Sequence, residues 1–306
     1  MKLRYAVVGT GALGGFYGGK LAKTGNEVHF LVNSDYNHII KNGIKVDSIL
    51  GDFHLEKVNA YKESSQMPVC DVVLVCLKTT SNHLLKTILP PLLHKDTCVI
   101  LIQNGLGMEQ ELELDFPNLN IAGILAFICA SKYTPGHITH IDHGRIEIGN
   151  YKGDNETLLK QVNRDFVKSG VDSKLIENLK ESRWKKLVWN IPYNGMSVVL
   201  NASTEELMGN PITYGLINDL MLEVISAANA CGCNIKEGFD QGMLAYTKTM
   251  KPYAPSMKLD YDNKRQLEIK AIYSTPIATA KSAGFDMSKV KMLEQQLGFI
   301  QDGYLK

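Results

Sequence analysis

The 306-residue sequence has no excess of either charge: 33 Lys and Arg stand against 32 Asp and Glu, a formal net charge of +1. Proteins that live by neutralising phosphate backbones carry an evident basic surplus, so nothing global points to nucleic acid. No run approaches the roughly 20 apolar residues of a membrane span. Internal repeats and low-complexity tracts are also missing. Cysteine is sparse, at six. Cys231-Gly-Cys233 has neither a second pair nor a nearby histidine, so it makes a poor metal or redox centre. Most of the others sit in or beside apolar runs such as C-D-V-V-L-V-C, where a reduced thiol behaves as a small buried hydrophobe. That usage fits a reducing compartment.

The opening M-K-L-R-Y-A-V-V-G-T-G-A-L-G-G imitates a secretion signal, basic and then apolar. Glycines at 9, 11, 14 and 15 interrupt the apolar stretch, and Lys20 and Lys23 follow closely. The sequence therefore reads as that of a cytoplasmic protein with no membrane segment.

What is present begins with a β-branched run at residues 3–8 that ends at Gly9, as a buried parallel strand does. A helix to about Thr24 and a second strand at 27–33 follow. Residues 43–58 suggest an inserted hairpin. Residues 71–78, 97–105 and 119–130 are further apolar strands, with a helical stretch between the first two. Strands alternating with helices predict an open parallel sheet wrapped on both faces. The segment G-H-I-T-H-I-D-H-G-R-I-E-I-G-N-Y reads as a hairpin edging that sheet. Its His137, His140 and His143 alternate faces and do not form a metal cluster. Later segments are long and helical. The expected class is an α/β Rossmann-type dinucleotide-binding domain, residues 1–178, followed by an all-α domain, residues 179–306.

Gly9-Thr10-Gly11-Ala12-Leu13-Gly14 is G-x-G-x-x-G between a strand and a helix. Its first glycine allows a tight turn, its second a close approach of backbone to pyrophosphate, and its third close helix–strand packing. Amides at the helix start would face the phosphates. An acid about 20 residues further on would read a ribose 2′-hydroxyl. The second strand instead ends in Asn33-Ser34-Asp35, with no acid at its tip and no Arg for a 2′-phosphate, which leaves NADP against NAD open.

In S-R-W-K-K-L-V-W-N-I-P-Y-N, residues 182–194, Trp184, Leu187, Val188 and Ile191 form an apolar helical stripe. Lys186, Asn190 and Asn194 recur every four residues along one side. Asn is a poorer helix former than Glu or Lys, so two on one face suggest amides with polar work to do. A solvated surface face is the competing reading. Pro192 lies among them, where it removes a backbone donor and usually kinks a helix, which would turn that face inward. Residues 255–270 read as a polar loop entering an amphipathic helix, with Ser256 and Glu268 as candidate contacts.

G-T-G-A-L-G-G, V-C-L-K-T, L-I-Q-N-G-L-G and R-W-K-K-L-V-W-N-I-P-Y-N, in this order and followed by P-S-M-K-L-D and Glu268, resemble the ketopantoate reductase (2-dehydropantoate 2-reductase) family along essentially the whole chain. The resemblance implies NADPH-dependent reduction of 2-dehydropantoate to (R)-pantoate, a step toward pantothenate and coenzyme A. It implies that Gly9, Thr10, Gly11, Ala12, Leu13 and Gly14 cradle NADP(H), with Lys78 and Ala130 beside it. Asn104 would contact both cofactor and substrate. Lys186 would be the general acid, Asn190, Asn194 and Ser256 would hold the small 2-keto acid, and Glu268 would bond substrate and cofactor. The chain departs from the pattern at Asn33, where members often carry Arg, at Lys270 after Glu268-Ile269, and at Pro192. Those departures keep open a related NAD(P)-dependent reductase of another 2-oxo or 3-hydroxy acid. A non-catalytic dinucleotide sensor would have no use for the Lys186 set. A homodimer is left open, and no metal is implied.

Overall fold

The computed structural model describes residues 2–250 and 254–305. The chain divides into two compact units, one of residues 1–103 and 109–179, the other of residues 104–108 and 180–306. A five-residue strip from the first half of the sequence thus belongs with the C-terminal helices.

The first unit is a ten-stranded sheet: β1 (Arg4–Val8), β2 (Glu27–Leu31), β3 (Ile44–Ser48), β4 (Phe53–Leu55), β5 (Asn59–Tyr61), β6 (Val72–Val75), β7 (Cys98–Leu101), β8 (Asn120–Thr134), β9 (His137–Lys152) and β10 (Ser173–Ile176). Its central part runs β5-β2-β1-β6-β7-β8, all parallel. This is the strand order of the Rossmann fold, whose ligands bind outside the carboxyl ends of the strands near β1. Strands β1, β6 and β7 are buried almost without exception, as apolar runs covered on both faces must be. Tyr5, Val7, Phe16, Tyr17, Phe30, Leu74 and Ile100 lie in the resulting core.

Two expectations need correction. The segment at 136–151 is not a hairpin at the edge. It is most of a single strand, β9, antiparallel to β8, with β3 and β10 both paired to its other side. At His143-Gly144 the strand bulges: both residues have positive φ, and Phe127 pairs with Arg145 while Ile128 pairs with His143, which leaves Gly144 over. The sheet is accordingly mixed, not purely parallel. Between β6 and β7 the helical stretch is reduced to short turns, with one α-helical segment of four residues, Leu85–Ile88. Pro90 and Pro91 follow, and neither can donate to a helix. The hairpin expected at 43–58 is present as β3 and β4.

The described strands belong to the first unit, and the second is helical. Its helix Leu179–Val199 passes through Pro192 without interruption. A proline in a helix interior costs about 3 kcal/mol. Burial of Trp184, Leu187, Val188 and Ile191, each at 1% exposure or less, contributes roughly 1.5–3 kcal/mol per side chain and offsets that cost. The helix continues past Pro192 for this reason. Residues 255–270 also differ from expectation: Ser256–Asp262 is itself a helix, and Glu268 precedes the next helical segment instead of lying on it. Lys264, at φ 55°, turns the chain between the two. All six cysteines are free, and burial pushes Cys70, Cys76 and Cys98 up to about 12. No helix among the described residues is long and apolar enough to cross a membrane.

Asp35, just beyond β2, is 5% exposed. It accepts from Lys132 Nζ at 2.5 Å, Gly136 N at 3.0 Å and Ser34 Oγ at 2.9 Å. Burial alone would raise its pKa, but these three donors outweigh it and hold the carboxyl below its ordinary value. A depressed pKa adds stability above the unfolded value and loses it as pH falls through the folded one. Replacing Lys132 with Met strands a buried carboxylate, so denaturant unfolding at neutral pH should show a loss of about 1–3 kcal/mol. The deficit should shrink as pH falls through the carboxylate range and vanish below the depressed native value, where Asp35 is protonated in both proteins. An unchanged midpoint at neutral pH would refute the coupling.

Candidate active site

The glycine-rich turn joins β1 to the helix Ala12–Lys23. Gly9 has φ 96°, and a Cβ there would lie 2.9 Å from Leu77 N. A Cβ on Gly14 would lie 2.1 Å from Gly9 O. Both glycines are demanded by the protein's own packing. Gly11 is different, because a Cβ there meets nothing within 4 Å. The helix start is therefore open at the position where backbone must approach a pyrophosphate. Thr10 donates through Oγ1 to Leu31 O at 3.1 Å, tying the turn to the end of β2. Ala12 and Leu13 open the helix.

Lys78 lies three residues beyond β6 and caps a tight turn at Thr79–Leu84. Gln103 and Asn82 brace this loop. Their amides exchange hydrogen bonds at 2.7 and 3.2 Å, and Gln103 Nε2 also donates to Leu77 O at 2.8 Å. Sequence reasoning missed this brace. Its trace was two amides on either side of the apolar strand β7, visible only once β6 and β7 pair. Ala130 lies on β8 opposite His140, at a register shift after Cys129, and packs against the first unit's core.

In the second unit Lys186 Nζ donates to Asn104 Oδ1 at 2.7 Å, joining residues 82 apart. The neighbouring Lys185 instead pairs with Glu181 at 2.6 Å on the same helix. Asn190 and Asn194 follow Lys186 at one and two turns, 6% and 2% exposed. Asn194 Nδ2 is buried without a hydrogen-bond partner among the described residues. A donor stranded in this way costs about 1–3 kcal/mol, which makes it a natural place for an acceptor supplied from outside the protein. Glu268 is 8% exposed. Ser256 is exposed at the first residue of its helix and is not hydrogen-bonded to the Lys186–Asn104 pair. The structure thus joins Lys186 to Asn104, sets both asparagines on the same helix, and leaves Ser256 outside the pair.

A second missed element is the segment Lys270–Ser274, a widened helical turn. Tyr273, fully buried, donates through its hydroxyl to Ile191 O at 2.9 Å. That carbonyl lies between Asn190 and Asn194. Such widened turns concentrate at functional sites; the only signal in the sequence was Pro276 shortly after it.

The chain matches the family model described as ketopantoate reductase PanE/ApbA over residues 5–153, and the C-terminal model of the same family over residues 178–301. It is 47% identical over 302 residues to a 2-dehydropantoate 2-reductase of Nostoc sp., across 97% of this chain and 95% of that one. A crystal structure of 2-dehydropantoate 2-reductase from Geobacter metallireducens superposes with a TM-score of 0.93 at 39% identity, across 97% and 99% of the two chains. D-mandelate dehydrogenase in ternary complex with NADH and anilino(oxo)acetate shares the fold, at a TM-score of 0.88 and 21% identity, across 99% and 100%.

The two kinds of glycine separate by experiment. Gly11→Ala should leave the melting temperature within about 1 °C, since the new methyl meets open space, yet weaken binding of reduced nicotinamide dinucleotide, followed by fluorescence, by roughly tenfold or more. Gly14→Ala should lower the melting temperature. Undiminished dinucleotide binding by Gly11→Ala would show that no phosphate group approaches there.

Proposed function

Because the chain belongs to the ketopantoate reductase family and is an NAD(P)H-dependent oxidoreductase, we propose that it reduces 2-dehydropantoate to (R)-pantoate, a step toward pantothenate and coenzyme A, with NADPH as donor and Lys186 as general acid. The observation that supports this most is the 2.7 Å hydrogen bond from Lys186 Nζ to Asn104 Oδ1. A neutral amide acceptor orients an ammonium without taking its proton, so the group keeps a proton that it can give to a substrate oxygen.

A reduced nicotinamide dinucleotide, when bound, supplies the hydride. Gly9, Thr10, Gly11, Ala12, Leu13 and Gly14 offer it a backbone cradle, and Lys78, Asn104, Ala130 and Glu268 are its further contacts. Lys186 gives a proton to the ketone oxygen as the carbonyl carbon is reduced, so the oxygen becomes the product's hydroxyl and no free alkoxide forms. The lysine amine then regains a proton from solvent. Asn190, Asn194 and Ser256 bind substrate oxygens, Asn194 through the otherwise unpartnered Nδ2. Asn104 and Glu268 complete the substrate set.

The NADPH assignment is supported by the state of Asp35. It lies about 20 residues after Gly14, where an acid would read a ribose 2′-hydroxyl. Its oxygens are instead committed to Lys132, Gly136 and Ser34, and its charge is balanced.

Following the loss of reduced-nicotinamide absorbance with 2-dehydropantoate should give turnover that is faster with NADPH than with NADH. Lys186→Ala should lower kcat roughly 10²–10⁴-fold while dinucleotide binding persists. Near-normal turnover by that variant would remove Lys186 from the chemistry. Absence of turnover in the wild type, with dinucleotide bound, would redirect the substrate assignment to another 2-keto acid.

A further inference from the structure

Asn104 orients Lys186, so something must hold Asn104. It sits in the strip of residues 104–108, which contains Gly105 and Gly107, both at positive φ. Flexible residues do not fix a neighbour by themselves. Their anchor is Leu106. Its side chain lies in the core of the helical unit, and its N–H donates to Ala271 O at 2.9 Å. The approach is close enough that a Cβ on Gly105 would lie 2.5 Å from the same oxygen.

That oxygen belongs to the widened turn Lys270–Ser274, and inside a regular helix it would already be taken. Thr275 N–H would bond to it in the ordinary i to i−4 pattern. Here Thr275 N–H reaches back to Lys270 O instead, the i to i−5 pattern of the widened turn. In that pattern the next donor in register for Ala271 O is residue 276. Residue 276 is proline and has no N–H. Ala271 O is therefore passed over by its own helix, and a buried carbonyl must find a donor elsewhere. Leu106 supplies it.

We propose that Pro276 is a positioning residue for the proton donor: by withholding a backbone donor from Ala271 O it reserves that carbonyl for Leu106, which holds Asn104 and through it Lys186. This rests on the reading of Lys186 as general acid. Pro276 touches neither substrate nor cofactor in this scheme. Restoring an N–H at 276 lets the helix compete for Ala271 O, either in the i to i−5 pattern or by relaxing to a regular turn in which Thr275 reclaims it. The strip at 104–108 then loses its backbone anchor while the hydrophobic seat of Leu106 remains.

The test is Pro276→Ala in the full-length enzyme. Alanine is a better helix former than proline, so folding should be preserved. Amide hydrogen exchange across residues 104–108 should speed up at Leu106. kcat should fall roughly 10–100-fold, as expected for a misplaced catalytic group, with a smaller rise in KM for the dinucleotide, of which Asn104 is one contact among several. The decisive readout is a double-mutant cycle: in an Asn104→Ala background, Pro276→Ala should cost little further turnover, because the group it positions has gone. If Leu106 exchange is unchanged, or the loss of kcat is the same in both backgrounds, the proposal is wrong. Should Pro276→Ala fail to fold, Pro276→Gly, which also restores the N–H, carries the same exchange measurement and cycle. If instead Lys186→Ala keeps its turnover, the proton-donor reading falls while the exchange result still decides whether Pro276 frees the carbonyl.

Discussion

A buried backbone carbonyl must have a donor, and two helix carbonyls of the helical unit accept one from outside their own helices. Ala271 O takes Leu106 N–H; Ile191 O takes the Tyr273 hydroxyl. Both bonds issue from the widened turn at Lys270–Ser274. One holds the strip that carries Asn104, and the other meets the helix that carries Lys186, Asn190 and Asn194 at the residue after Asn190. The polar groups of the site are thus tied to one short segment by backbone and phenol bonds, which carry no net charge.

The first unit solves a different electrostatic problem. A Rossmann sheet presents its strand ends to a ligand that carries phosphates, and an unbalanced acid there would repel them. Asp35 stands close to that place in the sequence, but the long β8–β9 hairpin brings Lys132 and the Gly136 amide onto it. The same hairpin is what turns a parallel sheet into a mixed one.

Much of this was legible in the sequence. The apolar runs named β1, β2, β6, β7 and β8 because strands buried on both faces have almost no alternative composition. The stripe Trp184, Leu187, Val188, Ile191 named a buried helix, and the four-residue spacing of Lys186, Asn190 and Asn194 placed them on one side of it. The structure adds Asn104 to that side, a contact across 82 residues that periodicity cannot express. The segment at 136–151 was misread as a hairpin because composition does not show which neighbour a strand pairs with; only the pairing of β8 with β9 decides that. Glu268 was placed on a helix because residues 264–273 have helical composition; the positive φ at Lys264 is a property of the packed chain. The Ala271 carbonyl was invisible, since backbone groups have no letter in a sequence.

The strip of residues 104–108 groups with the helices although more than seventy residues of sheet-forming chain separate it from them. The gene is therefore not divisible at one point into two functional halves. A chimera of two relatives joined near residue 179 would pair the lysine helix and the Ala271 carbonyl of one parent with the Asn104 strip of the other. The two parents' helical units would have to match at that seam, so residues 104–108 and 271–276 are expected to change together as the family diverges, whatever happens to the sheet between them.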